Sequence, residues 1–361
     1  MIVNVILILL IVFWGYNKNL SVPNIRKRFV VRSGVLMAIY SGFRHQYYGT
    51  GDTDRYCQAY LEAASESFEQ IAMNHVKDPF FSIFNKCLSF VFGTEAQFML
   101  IFYAIFVVGA LSYVVYKESK DPMLSFVLFI SLGFLSFMMN GLRQSIAMGF
   151  IMLSYPFLKE KKLIKFVAAV LLGSLFHNTS IVFLLAYPAY IVGFKRNVIL
   201  LYAVIVTICM TMGQSILNVI LTEAVVYDSA RFEGYLTYSS SNNLSGFVQY
   251  LLFFALAIQV YKKYVNSEPN AQLLYALLAL ALVFQSMTTV QGEFFRVAMY
   301  FGMYVILLVP NALTYFPPAK QQSYRKWLIF LLLVYFLFLG WGNKPYAFFW
   351  QDYQWQSIYN R

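Results

Sequence analysis

Four short polar runs interrupt an otherwise apolar chain, and each carries side chains that can do chemistry. In Asn140-Gly141-Leu142-Arg143-Gln144, Arg143 opens an apolar helical run whose face carries Gly141, Ser145 and Gly149. A guanidinium presents a planar fork of donors that matches phosphate oxygens, and small residues spaced by four let helices approach closely. Phe176-His177-Asn178-Thr179-Ser180 marks a tight turn, with His177 four residues after Gly173. An imidazole changes charge near neutral pH, which suits it to take a proton. In Gly292-Glu293-Phe294-Phe295-Arg296, Glu293 and Arg296 stand three apart, close enough on a helix to pair, and Tyr300 continues the stripe. In Gly49-Thr50-Gly51-Asp52-Thr53-Asp54-Arg55-Tyr56, the carboxylates of Asp52 and Asp54 flank one residue, after glycines that allow close backbone approach. In a loop, such a pair can hold a divalent cation alongside phosphate oxygens, or supply a base. Each run also has a plainer reading: Arg143 snorkelling to an interface, His177 capping a helix, Glu293 and Arg296 as a structural ion pair, and Asp52 or Thr53 as an N-cap. His45, His75 and His177 have no metal-ligand spacing, and pairing of Cys57 with Cys87 stays open. The chain lacks a Gly-x-Ser-x-Gly elbow, a Walker loop and a His-Glu-x-x-His site, so hydrolase and ATPase readings have no support.

The composition decides what must position these residues. The 361 residues are 60% hydrophobic and 12% charged, with a mean hydropathy of +0.61. Soluble domains carry roughly 45–50% apolar and about 25% charged residues. A soluble enzyme, a disordered chain and a secreted disulfide scaffold are excluded, which leaves an all-α polytopic membrane protein. Apolar runs long enough for crossings lie near 1–16, 29–43, 97–116, 122–140, 142–158, 163–177, 178–194, 198–221, 245–264, 271–290, 293–314 and 326–342. The first lacks a basic leader and a small-residue cleavage site, so it reads as a retained span.

The Lys and Arg residues test that count. Twelve crossings put most of them on one side, from Lys18 and Arg26 through Lys117, Lys159 to Lys165, Lys262 and Lys320 to Lys326, while most carboxylates fall on the other. The positive-inside rule makes the first side cytoplasmic. Both termini and all four polar runs are then outside. The net charge of +11 belongs to cytoplasmic loops, and no nucleic-acid partner is expected. Two outer loops are long, 44–96 and 222–244; the first has helical stretches at 56–73 and 80–92, expected as interfacial helices. With no linker or repeat, residues 1–361 read as a single membrane domain. Arg143, Arg296, Arg44 and Arg231 are expected to gather near the outer surface with His177 and the Asp pair. The 36 Phe and 28 Tyr can line a greasy groove and stack on sugar faces. The composite is an enzyme that binds a lipid diphosphate at the outer leaflet.

The run from Asn140 to Ala147, the Leu-Lys-Glu-Lys-Lys turn at 158–162 and the run from Ser174 to Ser180 resemble the EpsG-like family of polysaccharide-assembly proteins. That family belongs among the Wzy-type oligosaccharide repeat-unit polymerases of O-antigen, capsule and exopolysaccharide. Residues 51–56, Phe294-Phe295-Arg296 with Tyr300, and Pro345-Tyr346 are also similar, although Arg55 stands where the family commonly carries a shorter residue. The resemblance implies a GT-C-like helical bundle of about twelve transmembrane helices with an outward-facing cavity. It implies a membrane glycosyltransferase of the bacterial plasma (inner) membrane. A growing glycan on undecaprenyl diphosphate is the donor and a lipid-linked repeat unit is the acceptor. Arg143 and Arg296 would clamp the diphosphate, with Glu293 orienting Arg296. Arg44, Arg231, Gln144 and Tyr300 complete the expected binding set. His177 is the first candidate base, with Asp52 and Asp54 the alternatives. No cofactor and no metal are expected; a chain-length regulator and a flippase are the expected protein partners. Two other functions stay open, an O-antigen-ligase-like transferase and a lipid-linked oligosaccharide flippase. The flippase predicts an internal repeat and charges at mid-membrane depth.

Overall fold

The computed structural model describes residues 2–16, 18–47, 52–74, 79–227, 244–339 and 346–351. Arg231, with the polar run at 238–243, lies outside the described residues, as do the glycines ahead of Asp52. Among the described residues every regular element is helical, and strand-like pairing is limited to one isolated bridge between Arg44 and Phe348. In chain order the helices are α1 (Ile2–Gly15), α2 (Pro23–Gly42), α3 (Asp52–Ser65), α4 (Phe68–Asn74), α5 (Pro79–Phe92), α6 (Ala96–Glu118), α7 (Pro122–Ser131), α8 (Phe134–Asn140), α9 (Leu142–Lys159), α10 (Leu163–Phe176), α11 (Ala186–Val192), α12 (Arg196–Tyr227), α13 (Ser245–Ile258), α14 (Tyr261–Ser267), α15 (Gln272–Ser286), α16 (Phe294–Gly302), α17 (Val305–Leu313) and α18 (Pro318–Val334). Prolines open α2, α7 and α18, where a fixed φ suits the first turn and no N–H is wasted.

The helices pack as two compact units. One comprises the residues up to Ile181 together with those from Pro317 onward; the other is Val182–Phe316. No linker marks either boundary, which is why the sequence reads as one domain. One boundary falls inside a 3₁₀ helix, Asn178–Leu185, and the other in the short turn before α18.

In the first unit, named contacts sort the helix ends into two groups. At one end, Arg26 donates to the last carbonyls of α6, Val115 at 3.0 Å and Tyr116 at 2.8 Å, satisfying groups a helix terminus leaves open. Lys159 pairs with Glu118 at 2.7 Å, and Arg325 of α18 pairs with Asp121, which caps α7 through the Leu124 N–H. This is the basic end. At the opposite end lie the C-termini of α2, α8 and α10 and the N-termini of α3, α6 and α9. Gln97 at the start of α6 donates to the carbonyl of Gly42 at the end of α2. All candidate residues of this unit sit at that second end, as the charge pattern requires.

Helices α6 and α9 run parallel, and α10 runs back along α9. A Cβ on Gly149 would meet the Phe106 ring at 2.7 Å, and one on Gly173 would meet the Ala147 carbonyl at 3.2 Å. Gly149, read from the sequence as part of a small-residue ladder, therefore marks a close approach between α6 and α9, and Gly173 marks one between α9 and α10. Gly149→Val is expected to cost about 1–3 kcal/mol by overpacking, seen as a lower thermal midpoint of the purified protein, whereas an equal change at Gly109, where a Cβ would meet nothing within 4 Å, leaves the midpoint in place.

Several expected elements are altered. The span at 122–140 is broken at Gly133, whose φ of 84° suits only glycine, and α7 and α8 meet at 54°. The stretch at 56–73 splits because Ser67 and Gln70 form a reciprocal capping box that starts α4. Helices α3 to α5 then pack on α6, α9 and α10 through Tyr60, Phe81, Tyr103, Ile146 and Phe176.

In the second unit, α15 is largely buried, and Tyr275 stacks on Phe194 at 5.9 Å. The region 245–264 bends by 66° between α13 and α14, and 293–314 is two helices joined at Met303 and Tyr304. Gly246 abuts Gln285, and Gly302 abuts the Tyr250 ring, so α13 lies close to α15 and α16. Among the described residues, by length and apolarity, four helices can cross a membrane, or six if each bent pair is one span. The remaining apolar helices run to 10–17 residues. Along α12, Leu200, Leu201, Val204, Ile208 and Met212 are exposed, an apolar face suited to lipid and not to water.

Candidate functional site

Arg143 is the second residue of α9, directly after the Gly141 cap, which offers no side chain to the first-turn N–H groups. A cation at a helix N-terminus opposes the helix dipole. The guanidinium and the amide hydrogens there share one preference, for an anion. The guanidinium carbon lies 6.0 Å from the Phe81 ring centroid at the start of α5. The next residue back, Phe80, meets Phe176 edge-on at 5.0 Å, and Phe176 directly precedes His177. One turn of α5 thus brings the ends of α9 and α10 together.

His177 caps α10 in an extended conformation. Its N–H donates to the Gly173 carbonyl at 3.1 Å, and its own carbonyl accepts from Ser180 at 3.0 Å. The backbone is therefore pinned on both sides while the imidazole is partly exposed. Asn178 and Ser180 act as the turn residues the sequence indicated.

Asp52 and Asp54 lie in the first turn of α3, where carboxylates are favoured by the dipole. The Asp52 carboxylate is 4.0 Å from Arg55, and Asp54 accepts from Gln58 at 2.9 Å. Residues two apart on a helix point to different faces, so the helical placement separates the two carboxylates. Of the two sequence readings of this run, this placement matches the helix N-terminal one. Among the described residues, no three His, Cys, Asp or Glu side chains gather as a metal set. Between the two acids, buried Thr53 donates to the Met139 carbonyl at 2.9 Å.

Arg44 differs from its expected place. It is only 1% exposed, and its guanidinium donates to the carbonyls of Ser41 and, at 2.8 Å, Met139. These groups end α2 and α8, where helix dipoles are negative. Arg44 is therefore a clamp on two helix ends and not an open phosphate ligand. Gln144 is buried at 2% exposure, inside the packing of α9. In the second unit, Glu293 and Arg296 do pair, at 2.8 Å and 43% and 42% side-chain exposure. Tyr300 is fully buried and belongs to that unit's core.

A family model matches residues 27–355, nearly the whole length, and its description is the EpsG family. The chain belongs to the EpsG family. EpsG family members are Wzy-like polymerases, so the resemblance seen at Arg143 and His177 extends over the full fold. Neither the curated proteins nor the solved structures searched contain a match. Membership in the EpsG family, with apolar helices suited to a bilayer, fits a membrane protein of polysaccharide biosynthesis.

Proposed function

We propose that this EpsG family member is a Wzy-type polymerase at the outer face of the bacterial plasma membrane. It transfers a growing glycan from undecaprenyl diphosphate to a single lipid-linked repeat unit. The observation that carries the reading is the juxtaposition at α5: Arg143 over Phe81, and Phe80 against the residue preceding His177. An acceptor hydroxyl attacks the donor's anomeric carbon, the bond to the diphosphate oxygen breaks, and the lipid diphosphate leaves. Charge grows on the leaving oxygen, and Arg143 with the α9 N-terminus meets it. The hydroxyl proton goes to His177, with Asp52 as the alternative acceptor. Arg296, oriented by Glu293, is proposed for phosphate binding on the second unit. Both substrates are tethered in one membrane, which raises their effective concentration. A chain-length regulator and a flippase are the proposed partners.

The test is glycan length in cells lacking the gene. Wild-type protein restores a ladder of long chains. His177→Ala leaves single units exported without polymerisation; a normal ladder in that variant removes His177 as the base. Lipid-linked units trapped inside the cell in the absence of the protein favour the flippase.

Orientation is tested separately. Cys87 is exposed and Cys57 is buried, its thiol pushed up to about 11 by desolvation, against the pull of Arg44. A membrane-impermeant maleimide added to intact cells labels Cys87 and spares Cys57. Labelling of Cys87 only after the membrane is opened reverses the proposed topology.

A further inference from the structure

A cavity of about 350 Å³ opens in the first unit beside the α2–α3–α6 corner. That is within the range of small-ligand pockets, about 300–1,000 Å³. Its wall mixes His45, Gln46, Thr94, Glu95 and Gln97 with the ring of Phe349. None of its lining residues is a Lys or Arg, and Glu95 adds a carboxylate. A phosphate would meet no cationic lining group there. The thiol of Cys57, which also lines it, is held neutral by burial and makes a poor metal ligand.

The polar groups are positioned by their own backbones. The Gln97 amide nitrogen donates to the Gly42 carbonyl at 2.5 Å, so its oxygen is the group left to accept. His45 Nδ1 accepts from the Tyr47 N–H at 3.2 Å, which places the neutral ring's proton on Nε2. Desolvation lowers the His45 pKa and keeps that ring neutral. Phe349 arrives from the far end of the chain. Its N–H donates to the Phe43 carbonyl at 3.0 Å, and the Ala347 carbonyl accepts from the His45 N–H at 2.9 Å. The result is a set of neutral donors and acceptors, one carboxylate and one aromatic face.

We propose that this pocket holds a sugar ring of the glycan substrate, its hydroxyls met by His45, Gln46, Glu95 and Gln97 and its C–H face laid on Phe349. A pyranose presents that pattern: hydroxyls around an edge and apolar C–H groups on a face. The subsite rests on the polymerase reading, since it names the part of that substrate lying away from the phosphates. It also separates the labour, with charge handled at Arg143 and sugar identity read at the α2–α3–α6 corner.

The test uses the full chain in lipid nanodiscs with Thr94→Cys, a lining position outside the proposed hydroxyl contacts, in a background of Cys87→Ser and Cys209→Ser. The probe is the phosphate-free oligosaccharide released by mild acid from the host's own lipid-linked repeat unit. It is expected to slow maleimide modification of position 94 by about tenfold at roughly ten times its dissociation constant, while inorganic phosphate at the same concentration changes nothing. Phe349→Leu keeps the backbone bonds and the bulk but removes the ring, and is expected to abolish the protection without moving the thermal midpoint. An unchanged rate with saccharide, or protection by phosphate alone, overturns the subsite. The polymerase reading is scored independently by Arg143→Ala in cells. If that variant loses long chains while the saccharide gives no protection, the subsite is wrong and the polymerase reading survives. If long chains persist without the gene and the saccharide still protects, the pocket binds sugar and the polymerase reading is wrong.

Discussion

Arg143→Ala is expected to abolish long-chain glycan, with single repeat units still reaching the cell surface. Removing one preorganised donor from a developing oxyanion typically costs about 2.7–4 kcal/mol, or a factor of about 10²–10³ in rate. Chain length multiplies that loss, because every added unit requires another transfer. Arg143→Lys keeps the charge and loses the fork, so short ladders are expected from it. The side chain is partly exposed, so the protein's thermal midpoint should stay near that of wild type. Gel analysis of glycan from cells carrying each variant separates the outcomes. A full ladder from Arg143→Ala ends the role assigned to this arginine.

Arg44→Met is expected to act in the opposite way, through stability. The buried guanidinium holds carbonyls at the ends of α2 and α8. Hydrogen bonds to charged groups contribute about 1.5–3 kcal/mol each, and the carbonyls would be left buried. A loss of about 3–5 kcal/mol follows, with a fall of roughly 10 °C in thermal midpoint. Methionine fills most of the volume and cannot donate, so the loss reports the bonds and not a cavity. If Arg44→Met keeps the wild-type midpoint but loses polymer, Arg44 returns to the substrate-binding set.

What was legible in the sequence followed from local rules. Apolar runs located most helices, since burial and lipid both demand them. Glu293 and Arg296 were readable as a pair because a helix fixes the distance between residues three apart. The glycine at 149 was readable because side-chain size is written in the residue name. Arg44 was misplaced because its partners are main-chain carbonyls, one of them 95 positions away, and any residue supplies a carbonyl. Tyr300 was misplaced because a stripe along a helix does not say how wide the buried face is. From sequence the Asp pair reads either as a loop cation site or as a helix N-cap, and its place in the first turn of α3 decides where the carboxylates point. The pocket proposed for a sugar is not legible in the sequence because Phe349 joins it from more than 300 residues beyond His45.

That return of residues 346–351 onto the loop after α2 has a consequence for biogenesis. The first unit needs material from both extremes of the polypeptide, with the second unit translated in between. Early helices can enter the translocon and pair long before Phe349 leaves the ribosome. The wall of the pocket is therefore finished last, and a prematurely stopped chain holds its early helices yet lacks the Phe349 face.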